Sequence, residues 1–136
     1  GRYRLPLLAD KSVADARDGF TQAAAGLSGA YPQKIGNAGG PQPALELAIV
    51  AKAAGIGLYG GTLLEGTIGT AASLHAWATL EEMAWGTEMF GPLLCKDDIV
   101  TTPLQFHDFG VDLPTGPGLG IQLDEDKLAF YRRRDG

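Results

Sequence analysis

Leu5-Pro6-Leu7-Leu8-Ala9-Asp10 is a short apolar run that stops on a carboxylate. Three later runs repeat the design. Tyr31-Pro32-Gln33-Lys34-Ile35 carries a lysine near its end, and Ile56-Gly57-Leu58-Tyr59 runs into Gly60-Gly61. Trp85-Gly86-Thr87-Glu88 places a glutamate among small and apolar residues. The marker positions Asp10, Lys34, Tyr59 and Glu88 are 24, 25 and 29 residues apart, one strand–helix unit per step. Parallel α/β proteins gather a site in this way, from side chains at the ends of successive strands.

The segments between these runs read as helices. Ser12 is the expected N-cap of the first, with Asp15 three residues on, and Val13, Ala16, Phe20, Ala23 and Leu27 recur at helical spacing. Gly36 to Gly40 reads as a tight loop into a second helix, with Pro41 or Pro43 in its first turn. Leu45, Ala48, Ile49 and Ala53 are that helix's expected buried face, and Gly55 its stop. Ile68 to Met83 reads as a third helix. From Ile99 the rhythm changes. Leu104, Phe106, Asp108 and Val111 mark an extended segment, Pro114 to Gly120 a turn-rich loop, Ile121 to Leu123 a short strand, and Asp124 the cap of a last helix.

The chain therefore divides into strand–helix repeats over 1–98 and a tail over 99–136. Three to four such units are about half of a (β/α)₈ barrel, which takes roughly 250 residues. An open half-barrel leaves parallel strands unpaired and one face uncovered. The pattern fits a small doubly wound sheet or the C-terminal part of a barrel. The chain starts on Gly1 and enters a strand almost at once, which reads as a piece of something longer.

Composition narrows the function classes. A length of 136 residues allows one domain of modest core. The net charge of −5 provides no basic stripe to neutralise phosphates, which argues against nucleic acid or an anionic membrane as partner. Arg132-Arg133-Arg134, beside Asp135, reads as a solvated tail. Cys95 is the single cysteine, so no intrachain disulfide forms, which suits a reducing compartment. No run approaches the roughly 18 apolar residues of a membrane span. The apolar run after Arg2-Tyr3-Arg4 is too short for a signal peptide, and the expected location is the cytoplasm.

The motifs carry a resemblance. Leu8-Ala9-Asp10, Lys34 with Gly39-Gly40-Pro41, Ala53 to Thr62, Leu64-Glu65-Gly66-Thr67-Ile68-Gly69-Thr70, Trp85-Gly86-Thr87-Glu88, Phe90 to Leu94, Pro117 to Gly120 and Leu123 to Asp126 span nearly the whole chain. Together they resemble the C-terminal part of the muconate cycloisomerase (muconate lactonising) family of the enolase superfamily. The resemblance implies an α/β fold: the C-terminal half of an enolase-superfamily (β/α) barrel, strands five to eight, with a tail packing on a capping domain. It implies an isomerase of aromatic (catechol) catabolism that interconverts cis,cis-muconate and muconolactone.

Roles follow from the same resemblance. Asp10 resembles the third of three carboxylates holding a divalent cation, Mn²⁺ or Mg²⁺. Lys34 resembles the sixth-strand lysine that faces the substrate, and Glu88 the acidic residue at the end of the last strand. Such residue types suit the chemistry. A proton α to a carboxylate is weakly acidic, so its removal needs cationic stabilisation and a hard cation with oxygen ligands. The family's first two metal carboxylates, its Lys-x-Lys and its N-terminal capping domain are absent from these residues. The isolated chain is thus expected to be inactive, and the complete enzyme to act on a small molecule as a homo-oligomer.

Other readings stand beside this one. Lys11 replaces the family's usual glutamate, and Gly36-Asn37-Ala38 is closer to chloromuconate relatives, so a chlorinated muconate is one alternative. A dipeptide epimerase, an o-succinylbenzoate synthase and a non-catalytic fragment are the others. Taken singly, Asp10, Lys34 and Glu88 are ordinary strand-end residues. Glu65 is a weaker candidate in the loop after the seventh strand. His75 reads as structural, His107 lacks a metal-ligand partner at useful spacing, and Cys95 reads as a packed thiol. Gly39-Gly40 and Gly60-Gly61 read as strand–helix turns, since no phosphate-loop or dinucleotide pattern surrounds them.

Overall fold

A computed structural model describes residues 5–132. The Arg2-Tyr3-Arg4 and Arg133-Arg134 readings lie outside that range. The first helix, α1 (Ala16–Ala25), is capped by Asp15 and not by Ser12. Asp15 Oδ1 accepts the Asp18 N–H at 2.9 Å, while Asp18 Oδ2 accepts the Ala14 N–H at 3.1 Å. Two aspartates three residues apart thus satisfy the helix entrance reciprocally, a role Ser12 is too far upstream to fill. Gly26 ends α1 with φ 63, and Gly55 ends the long helix α3 (Pro41–Ala54) with φ 68, a left-handed conformation that costs glycine little.

The strands are short. β1 (Ala30–Gln33) and β2 (Gly57–Gly60) pair in parallel, with Pro32 opposite Tyr59 and Gln33 opposite Gly60. Leu8 adds to β1 through a parallel bridge to Ala30, and Thr87 to β2 through one to Gly60. The expected outer strands are thereby each reduced to a single bridge. Their backbones still interlock, through Ala9 N–H to the Ala30 carbonyl at 3.1 Å and Glu88 N–H to the Gly60 carbonyl at 2.9 Å. The result is an arc of four parallel segments in chain order. Each outer segment has one sheet neighbour among the described residues, and Pro6 has no N–H to extend a ladder.

Helices cover one side of the arc. Tyr31, Leu47, Ala48, Ala51 and Leu58 form one buried cluster with Ala9 and Val13. The Tyr31 hydroxyl, buried there, donates to the Gly19 carbonyl at 2.7 Å. A Cβ on Gly19 would lie 2.5 Å from Leu47 Cδ1, so α1 sits directly against α3. The buried face of α3 is Ala44, Leu47, Ala48 and Ala51, a shift from the expected Leu45, Ala48, Ile49 and Ala53. Ile49 is 69% exposed, and Phe20 and Leu27 are likewise exposed. Small residues face inward because the helices approach closely. Hydropathy alone favours the larger ones.

Two more boundaries differ. The segment after Lys34 is a short helix, α2 (Ile35–Ala38), not a loop. Helix α4 (Thr67–Trp77) ends six residues before Met83. The Thr79 hydroxyl caps the Ala76 carbonyl at 2.7 Å, and the chain turns there so that Leu80 and Met83 pack on both buried clusters. A further short helix, α5 (Gly91–Leu94), follows the Glu88 segment. Cys95 at its end is exposed, contrary to the packed thiol expected.

The tail and Asp98 just before it are stitched to α4. Asp98 Oδ2 accepts the Thr67 N–H at 2.8 Å, and His75 Nε2 meets the Leu119 carbonyl at 3.1 Å. Val100, fully buried, bridges antiparallel to Leu123. A hairpin of β3 (Phe106–His107) and β4 (Gly110–Val111) follows, and helix α6 (Glu125–Tyr131) is capped by Asp124 as its sequence indicates. Among the described residues no helix is long and apolar enough to cross a membrane.

Candidate active site

Strand register sorts the marker residues onto one face. Side chains alternate along a strand, so Tyr31 and Gln33 turn toward the helices while Pro32 and Lys34 turn the other way. Leu8, Asp10, Pro32, Lys34, Tyr59 and Glu88 line one open cavity of about 350 Å³ on the side away from the helices. Asp10, Lys34 and Glu88 come from three separate strand ends and meet there, as their spacing predicts.

Lys34 is the junction of β1 and α2. Its carbonyl accepts the N–H groups of Asn37 and Ala38, both at 3.0 Å, which fixes the backbone. Its side chain crosses the neighbouring strand at Gly61, where an added Cβ would lie 2.7 Å from Lys34 Cε. The ammonium then reaches Asp10, with Nζ 2.5 Å from Oδ1. The lysine side chain is 14% exposed and the aspartate 52%, so the pair spans from a covered stem to an open rim. The hydrogen bond and positive charge of Lys34, helped by Lys11, hold the Asp10 carboxyl below its ordinary range.

Glu88 is held from the other side. Its Oε1 accepts the Thr62 backbone N–H at 3.3 Å. The Tyr59 phenol sits beside it. Burial, and then the Glu88 carboxylate, push that phenol above its usual value and keep it a protonated donor. Tyr59, which the spacing marks without assigning a role, and Thr62, which it does not mark, are therefore parts of the site. Gly61 is a third. Read as a turn residue, it works as the empty position that Lys34 crosses, and only the register reveals this.

Other candidates fall elsewhere. Glu65 lies in the loop behind the cavity and does not line it. His75 faces the tail, consistent with a structural role. His107 pairs with Asp112 Oδ1 at 2.9 Å and lies 3.8 Å from Asp108 on the exposed hairpin. Among the described residues no three His, Cys, Asp or Glu side chains group as a metal site. Asp10 can give a hard cation one or two oxygens, short of the six or more such ions take. The described residues alone do not build that site.

Comparison with known proteins gives the family. Residues 2–127 match the family described as Enolase C-terminal domain-like. Muconate cycloisomerase 1 of Pseudomonas putida is 50% identical over 133 residues, covering 98% of this chain and 36% of that protein. A chloromuconate cycloisomerase of Cupriavidus necator is 42% identical over 127 residues, 93% of this chain and 34% of that protein. The crystal structure of muconate lactonizing enzyme from Klebsiella pneumoniae superposes with a TM-score of 0.94 at 62% identity, over 98% of this chain and 37% of that one. The chain thus spans little more than a third of these relatives' length. Sequence and fold agree, and the chain belongs to the enolase C-terminal domain-like family.

Proposed function

We propose that this segment supplies strands five to eight of a muconate cycloisomerase, with Asp10, Lys34 and Glu88 as its share of the active site. The observation that carries the reading is their convergence on one cavity in a chain 62% identical to a muconate lactonizing enzyme. In this reading residues 1–98 are the barrel part and 99–136 the tail that packs on the capping domain. The complete enzyme assembles as a homo-oligomer, which native mass spectrometry tests.

Each residue has a task the geometry suits. Lys34 presents a cation that lies against a substrate carboxylate and stabilises charge developing on it. Gly61 and Asp10 orient that ammonium. Glu88, anchored by the Thr62 amide, faces it across the cavity as the acidic partner. Asp10 is one ligand of a Mn²⁺ or Mg²⁺ whose remaining ligands lie outside this segment. When bound, that ion supplies electrophilic stabilisation of substrate oxygens. Leu8, Pro32 and Tyr59 give the cavity an apolar wall beside these charges.

The test is a full-length enzyme in which this segment replaces the matching part of the Klebsiella pneumoniae protein. Loss of cis,cis-muconate absorbance with Mn²⁺ supports the reading, and Lys34→Ala and Glu88→Gln should each lower turnover by ~100-fold or more. Wild-type turnover in both variants would sink the site assignment. Chloromuconate is the second substrate to try, because relatives that act on it by name are 42% identical. Faster turnover of the chlorinated substrate would favour that branch.

A further inference from the structure

Glu65 lies one layer behind the cavity, in the loop that joins β2 to α4. Its Oε2 accepts the Thr62 hydroxyl and also the Leu63 N–H at 2.9 Å. The Thr62 hydroxyl in turn accepts the Leu64 N–H at 2.8 Å. One carboxylate therefore closes a tight knot over Thr62, Leu63 and Leu64. The knot holds Leu64 at φ 65, a left-handed conformation that a leucine seldom adopts. Backbone strain of this kind persists only where the surroundings fix it.

The surroundings are close. A Cβ on Gly69 would lie 2.7 Å from Glu65 Cβ, and one on Gly91 would lie 2.2 Å from the Glu65 carbonyl oxygen. A Cβ on Gly36 would lie 2.8 Å from Leu63 Cδ1. Three neighbouring segments thus lack a side chain where they meet this loop. The purpose shows in the next bond outward. The knot's first residue, Thr62, turns its N–H to Glu88 Oε1.

We propose that Glu65 is a positioning residue: its carboxylate sets the Thr62 amide, and through that amide it aims the Glu88 carboxylate into the cavity. No substrate contact is assigned to it. The rival explanation is that Glu65 serves only α4, as an acid near a helix N-terminus. The two differ in what Glu65→Gln does. The amide side chain keeps an oxygen for the Thr62 hydroxyl and the Leu63 N–H but has no charge for the helix.

The activity readout rests on the cycloisomerase reading, so a second readout is paired with it. In the full-length hybrid enzyme described above, Glu65→Ala should lower kcat on cis,cis-muconate by ~10- to 100-fold with little change in KM. It should also speed hydrogen exchange of the Thr62 to Glu65 amides. Glu65→Gln should restore both to within a few-fold of wild type. Thr62→Val, which removes the hydroxyl and keeps the amide, should reproduce much of the alanine effect and stands in if Glu65→Ala does not fold. Equal loss of thermal stability in the Ala and Gln variants, with Thr62 protection unchanged in both, overturns the proposal. If the unmutated hybrid does not turn over cis,cis-muconate, the function reading fails. The exchange data still decide the role of Glu65.

Discussion

Lys34 reaches across its cavity because its neighbour in the next strand has no side chain. Gly61→Ala would put a methyl group where the lysine stem now lies. Kinetics on the full-length enzyme should show kcat/KM reduced by ~10- to 100-fold, since displacement by about 1 Å is costly at a reacting centre. The melting temperature should move little, because the clash falls on a flexible side chain and not on backbone. Retained activity would mean that the lysine path is not needed. The spacing of Asp10, Lys34 and Glu88 made their meeting legible in the sequence. The parts played by Gly61, Thr62 and Tyr59 were not, because each depends on pairing across strands. A turn glycine and a glycine that clears space look identical in a single chain.

At the element scale, the ends of segments decide more than their middles. Asp98 lies 31 residues from the Thr67 amide it caps, so no local pattern shows the bond. Asp98→Ala removes a partner from the first turn of α4 and a tie to the tail. Thermal unfolding should register a loss of about 1 kcal/mol. The hairpin of β3 and β4 adds a pH dependence. Its His107 ring is drawn above its ordinary value, mainly by the Asp112 hydrogen bond and charge and then by Asp108. A raised folded value means this contribution is complete below about pH 6.5 and fades as pH rises through the folded value. Ring titration by NMR should find His107 above that mark in the wild type. Asp112→Asn should return it toward the ordinary range. The existence of α1, α3, α4 and α6 was readable from spacing and caps, while the one-turn helices α2 and α5 were not. The inward faces of α1 and α3 were misjudged because close helix packing favours Gly19, Ala44 and Ala51 over Phe20 and Ile49.

For the whole molecule, the strand count was the most informative feature. Three to four units argued for half of a barrel, and the relatives are close to three times as long. Leu5, Leu7, Leu8 and Trp85 are 43–78% exposed, and the cavities on the inner side of the arc remain open. Tested as an isolated polypeptide, residues 1–136 should give no detectable loss of cis,cis-muconate absorbance. Isothermal titration should find only weak Mn²⁺ binding, since no three His, Cys, Asp or Glu side chains group among the described residues. Tight binding by the isolated chain would mean that it builds a site by other means. The register of the arc has a last consequence. Pro32 falls level with Tyr59, while Lys34 falls level with Gly61 and Glu88, two residues farther along. The apolar wall and the backbones that carry Lys34 and Glu88 therefore stand on two storeys about 7 Å apart, a height set by the rise of an extended chain, and the Lys34 side chain reaches from its own storey to Asp10. Side-chain substitution can lengthen or shorten a reach within a storey but cannot move the floor. If the proposed cycloisomerase reading holds, retuning this scaffold for a longer or shorter diacid calls for exchange of a whole strand–helix unit, with its register, and not for point changes at Lys34 or Glu88.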